Sequence, residues 1–183
     1  MKVLRKQELE TSNIQVGDQI IIELTGFGEF TATAQKITDK GTLFLFDDCV
    51  TRRPMNAERT NKGGYEKSEL RKWINDVLLV AFPEDLINRI DGLTIPTYGQ
   101  MFGHDDWYND VLEPDDDEQL PLMKKRKNRI ADFNDNYEWY WMQNAMKKEF
   151  SSSSFALVHA YGIATDVNAS FSLGVRPVFW LVK

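Results

Sequence analysis

Cysteine is nearly absent from these 183 residues. Cys49 stands alone, so no disulfide forms within the chain and no paired-thiol chemistry is available. Histidine is almost as scarce: His104 and His159 are the only two, and neither sits in a metal-ligand or catalytic motif. A cysteine nucleophile needs a histidine partner, so Cys49 reads as a small buried residue beside Phe46. Basic charge is in deficit, with 22 Lys and Arg against 28 Asp and Glu and a net charge of −6. That balance argues against general nucleic-acid binding, which wants a basic face. No apolar run approaches the roughly 18 residues of a membrane span, so no membrane partner is expected. Met1 to Glu10 has no apolar segment of the signal-peptide kind. The expected place is the cytoplasm at synthesis, with virion association left open by release through lysis.

What is present suits one folded domain over residues 1–183. The 42% hydrophobic content is enough for a true core. Residues 1–13 are polar and read as a frayed lead-in. Alternating apolar positions and the turns Gly26-Phe27-Gly28 and Asp39-Lys40-Gly41 predict an N-terminal β-meander within 1–50, with strands at about 14–24, 29–38 and 42–47. The period then changes. Leu70, Trp73, Ile74, Val77, Leu78 and Ala81 recur at three and four, which predicts an amphipathic helix with Ser68 as its N-cap. Pro83 ends it and opens a second short helix carrying Leu86, Ile87 and Ile90. Leu93 to Pro96 is extended, and Thr97 caps a further turn.

Residues 103–135 form a charged insertion. Its acidic groups, His104-Asp105-Asp106 and Asp115-Asp116-Asp117-Glu118, offer oxygen ligands in principle but match no calcium-loop spacing, so a solvated acidic loop is expected. The basic cluster Lys124 to Arg129 follows at once and offsets it. In the last third, Trp139, Tyr140 and Trp141 alternate across a strand, which sends the two tryptophans to the core and Tyr140 the other way. Val175 to Val182 is apolar at nearly every position except Arg176, as a strand covered on both faces would be. A buried arginine needs a partner, so Arg176 is expected to pair with a carboxylate. Strands, helices and strands again make the fold class α+β.

Several of these pieces together resemble a known bacterial and phage domain family of uncharacterised function. They are Tyr65, Ser68-Glu69-Leu70-Arg71-Lys72-Trp73-Ile74-Asn75, Phe82-Pro83, Leu93-Thr94-Ile95-Pro96-Thr97, Trp139-Tyr140-Trp141-Met142 and Gly174-Val175-Arg176-Pro177. The family in turn resembles the C-type-lectin-like fold in its formylglycine-generating-enzyme branch. The resemblance spans about Ile14 to Lys183. It implies N- and C-terminal strands paired, two main helices and long loops that carry recognition. Relatives in that branch hold copper with paired cysteines, which a chain with one cysteine cannot do. Where the family often has leucine-arginine-serine after its tryptophans, this chain has Met142-Gln143-Asn144.

The expected function is therefore a non-catalytic ligand-binding or structural module, phage- or prophage-associated, meeting a glycan or protein surface through its loops. No catalytic residue, cofactor or metal site is assigned. The expected ligand-binding residues are Tyr140, Gln143, Asn144, Asp166 and Asn168, pictured on one exposed face because an aromatic platform with amides and a carboxylate suits sugars and polar peptides. The competing reading is a metal-dependent hydrolase using carboxylates of 103–118. Self-association is compatible with either.

Overall fold

The computed structural model describes residues 14–182; the polar lead-in 1–13 lies outside them. The glycine-marked turns generate the expected meander. Strands β1 (Gln19–Leu24), β2 (Gly28–Ile37) and β3 (Gly41–Phe46) pair antiparallel in sequence. In β1, Ile22 and Leu24 are buried while Ile21 faces solvent, as a strand with one covered face requires. Every residue of β3 is buried. Its second edge pairs with β12 (Val178–Val182), and β12 pairs in turn with β5 (Ile90–Thr94), giving the sheet order β1-β2-β3-β12-β5. The resemblance implied that the first and last strands pair. They do not: β12 lies between β3 and β5, and β1 occupies the sheet edge.

The apolar C-terminal run is not one strand but two. Leu173–Val175 (β11) belongs to a second sheet, and Arg176-Pro177 carries the chain across to β12 in the first. Proline donates no hydrogen bond, so it fits the point where the chain leaves one ladder for the other. The second sheet has the order β10-β9-β8-β11-β4, with β4 (Thr51–Arg53), β8 (Tyr140–Ala145), β9 (Ser154–Val158) and β10 (Ala164–Asn168).

Two apolar clusters flank these sheets and share their inner strands. Phe44, Phe46 and Phe179 point into the first cluster with Trp141, Phe155 and Leu157. Leu43, Leu45 and Val178 point into the second with Tyr140, Met142, Ala156 and Val158. Strands β3, β8, β9 and β12 thus carry apolar residues on both faces. Helix α1 (Glu69–Trp73) runs on through a π-helical turn (Ile74–Leu78) and a 3-10 turn (Leu79–Ala81), closing the first cluster with Leu70, Ile74, Leu78 and Ala81. The Ser68 side chain accepts from Arg71 N at 3.0 Å, the expected N-cap. The wider π turn shifts the phase of the apolar stripe. Val77 faces solvent and Trp73 packs only at the rim, edge-on to Phe27.

The insertion is not a solvated loop. Tyr108, Leu112, Leu120, Met123 and Ala131 come from it and close the second cluster. Helix α2 (Glu84–Ile87) lies ahead of β5, and two short helices follow it: α3 (Tyr98–Phe102), opened by a capping box between Thr97 and Gln100, and α4 (Asp106–Val111), capped by Asp105. A hairpin of β6 (Ala131–Phe133) and β7 (Asn136–Glu138) ends the segment, turning through Asn134 and Asp135 at φ 52° and 61°. The run of charges hid this in the sequence, because the apolar residues between them follow no single period. Among the described residues no helix is long and apolar enough to cross a membrane.

Candidate functional site

Strand β8 stays buried to its C-terminal end except at half-buried Gln143, and a register shift between Trp141 and Ala145 loosens its pairing with β9 there. The backbone N–H of Gln143 turns to Pro96 O at 3.0 Å. Its side-chain Nε2 donates to Ile95 O at 2.6 Å and Thr94 Oγ1 at 3.2 Å. Asn144 is buried and fully engaged. Its Oδ1 accepts from Tyr98 N at 2.6 Å, and its Nδ2 donates to Glu113 O at 3.0 Å and Asp115 Oδ2 at 2.8 Å. One amide thereby ties β8 to the start of α3 and to the insertion.

The groove floored by this end of β8 has two connected parts. The narrower, about 190 Å³, is lined by Gly63-Gly64, Glu66, Thr97, Glu113, Asp115, Gln143 and Asn144. The wider, about 630 Å³, continues past Gly63-Gly64 to Arg59, Asn61, Lys62, Met146, Lys148 and Ser152. Gly63 and Gly64 both have positive φ (88° and 64°), a conformation that favours glycine and leaves this wall as bare backbone. Asn61 Nδ2 reaches the carbonyls of Met146, Ser151 and Ser154 at 2.9–3.2 Å, fixing the wall to the serine loop. The cations Arg59, Lys62 and Lys148 line the wider part, Glu66 the narrower, and Glu113 both.

The expected site residues do not form one exposed face. Gln143 and Asn144 line the groove, but Tyr140 is fully buried, because β8 has apolar cover on both faces. Its hydroxyl donates to Arg129 O at 2.5 Å and accepts from Arg176 Nη1 at 2.9 Å, and burial pushes its pKa up to about 12. Asp166 and Asn168 lie on β10, the sheet edge two strands from β8. Asp166 is exposed; Asn168 Oδ1 accepts from the N–H and hydroxyl of Ser170 in a local turn. Arg176 corrects another expectation. It is buried without a carboxylate partner among the described residues, donating instead to Phe46 O at 2.7 Å, to the Tyr140 hydroxyl and to the carbonyls of Asn128 and Arg129.

The carboxylates proposed for metal chemistry have structural work. Asp115 accepts from Gly99 N, Asn144 Nδ2 and Asp117 N, and Asp117 accepts from the Thr97 hydroxyl. A Cβ on Gly99 would collide with the Asp115 carboxylate, so glycine is required for this approach. Asp105 caps α4 and accepts from the Tyr98 hydroxyl at 2.9 Å. His104 stacks flat on Tyr108 with Nε2 3.6 Å from Asp115 Oδ1. Cys49 is buried as expected, and burial raises its thiol pKa far above the reactive range.

A family model described as a domain of unknown function (DUF6273) matches residues 40–183, from just before β3 onward. The chain belongs to the DUF6273 family. No curated protein and no solved structure matches it. Both parts of the groove fall wholly inside the DUF6273 segment, whereas β1 and β2 precede it. Reading the sequence missed Asn61, Gly63-Gly64, Glu113 and Lys148. Gly63-Gly64 is the one sequence feature there that marks a loop, and nothing in the sequence shows that β8 runs beneath it.

Proposed function

We propose that this DUF6273 chain is a non-catalytic binding module whose groove over the end of β8 takes an extended polypeptide segment of a protein partner. The observation that carries this reading is the groove's lining: bare backbone at Gly63-Gly64, an amide at Gln143 and side chains of both charges on the rim. Backbone groups and an amide suit a partner's main chain, and a mixed rim suits its side chains. The engaged carboxylates of the insertion weigh against the hydrolase reading. A C-type-lectin-like scaffold of phage or prophage origin fits the order and spacing of the sequence motifs, and it would place recognition on such a loop-walled face.

A glycan is the second reading, and it has its own support. Trp139 and Tyr161 are exposed and flank His159, with ring centroids 4.2 and 5.0 Å from it. Contiguous aromatic rings suit sugar stacking.

Panning a random-peptide display library against the intact chain, with a glycan array in parallel, tests the proposal. The expected result is enriched peptides whose affinity falls at least tenfold in Lys62→Glu with Lys148→Glu, at an unchanged melting temperature. Peptides indifferent to that charge reversal, or glycan binding lost with Trp139→Ala alone, would reject the groove as the principal site.

A further inference from the structure

A second pocket, of about 410 Å³, lies where the meander meets the insertion and is lined by Gln19, Thr33, Gln35, Asp47, Asn128 and Arg176 among others. Its volume falls in the range of small-molecule sites. Three features set it apart from an ordinary surface hollow. The first is a β-bulge: Ala34 pairs with Phe44 and Lys36 with Leu43, so Gln35 is the extra residue in β2. Bulges re-aim a side chain and recur beside functional sites. The second is Gln35 itself, which is 2% exposed. Its Nε2 donates to Thr33 O at 3.1 Å, which fixes the amide's orientation, and its Oε1 has no hydrogen-bond partner among the described residues. A buried acceptor without a donor is costly and calls for an explanation.

The third feature is Arg176, a buried cation with no carboxylate within salt-bridge distance among the described residues, although Asp47 and Asp48 line the same pocket. A guanidinium has five N–H groups. Here Nη2, which carries two, makes one long contact, to Asn128 O at 3.3 Å. The pocket therefore combines a cationic donor with spare capacity, an orphaned amide oxygen and the Asp47 carboxylate, whose oxygens accept from the Thr33 hydroxyl and Gln19 Nε2.

We infer that this pocket binds a small zwitterion of the α-amino-acid class, its carboxylate on Arg176 and its ammonium on Gln35 Oε1 and Asp47. Such a ligand supplies both missing partners: the anion for the buried cation and the donor for the orphan oxygen. A neutral polyol supplies no charge for Arg176, and a simple carboxylate supplies no donor for Gln35. Gly17, Gln19, Thr33 and Gln35 precede the DUF6273 segment, so the site joins the matched span to the hairpin ahead of it. The inference is independent of the groove.

Thermal unfolding of the intact chain, read with each of the common α-amino acids, with propionate and with glucose at millimolar concentration, tests it. One or more amino acids should raise the melting temperature by about 3–6 °C at tenfold above the dissociation constant, with propionate and glucose inert. Gln35→Leu should abolish that response while keeping or raising the ligand-free melting temperature, because it removes the orphan acceptor. Asp47→Asn should weaken the response at least tenfold in affinity by calorimetry, and Gln143→Ala, in the groove, should leave it intact. No response to any amino acid, an equal response to glucose, or a response that survives Gln35→Leu overturns the inference and leaves a water-filled hollow.

Discussion

Replacing Asn144 with alanine removes the amide that joins β8, α3 and the insertion, and its cost follows from the three bonds lost. Tyr98 N is buried at the start of α3 and has Asn144 Oδ1 as its side-chain acceptor at 2.6 Å. Asp115 loses one donor but keeps Gly99 N and Asp117 N. Glu113 is exposed, so its carbonyl can turn to water. An unmet buried donor costs about 1–3 kcal/mol, and the charged partner adds to it, for a total of about 2–4 kcal/mol. In a chain of this size that is a fall in melting temperature of about 4–16 °C. Asn144→Asp sharpens the test. It retains an oxygen for Tyr98 N but sets a second carboxylate against Asp115, so stability should fall at neutral pH and recover on acidification. Adding Asp115→Asn should restore part of the loss at neutral pH by reversing donor and acceptor across the pair. Denaturant midpoints across pH supply the numbers. A cost below about 0.5 kcal/mol for Asn144→Ala, the level of an ordinary surface change, would refute the claim that this amide holds the insertion down.

Tyr140 gives a pH prediction. Its folded pKa of about 12 stands above the ordinary value of about 10, so its contribution is complete below pH ~10 and is lost as pH rises from there through 12. Tyr140→Phe should make that alkaline decline shallower in denaturant titrations, and at neutral pH should cost about 1–3 kcal/mol by leaving Arg176 Nη1 and Arg129 O short of a partner. On the first helix, Leu70→Ala should cost about 2–5 kcal/mol, rim-packed Trp73→Ala less, and exposed Lys72→Ala under about 0.5 kcal/mol. Equal midpoint shifts at Leu70 and Trp73 would contradict the π-turn account of which face is buried.

Local signals were the legible ones. The glycine turns gave the meander, the three-four spacing gave α1, and Ser68 and Thr97 acted as the caps their side chains suggest. What escaped depends on contacts distant in sequence. Tyr140 looked available because alternation puts it opposite Trp141, but alternation says nothing about what covers the second face. That cover comes from Tyr108, Leu120 and Met123, dispersed among charges. Arg176 was rightly expected to be buried, but it lies in the link between β11 and β12 rather than in a strand, and its partners are mostly carbonyls, which composition cannot point to because every residue has one. Gln143 and Asn144 reached the groove, while Asp166 and Asn168 did not, since strand order rather than chemistry decides which loops meet.

The position of β12 has a consequence for how the chain reaches its native state. As residues emerge in order during synthesis, β3 and β5 are both made long before the strand that separates them. Until residues 178–182 appear, each presents an unpaired edge, and the phenylalanines of β3 lack Phe179, against which Phe44 stacks at 5.7 Å. Open edges and bare aromatics are the features that make nascent chains stick to one another. Local pairings such as β1-β2-β3 and β8-β9-β10 can settle early, but the first sheet is completed from its middle, in one late step with high loop-closure cost. That strand order predicts a slow final folding phase, to be read as a late stopped-flow refolding amplitude.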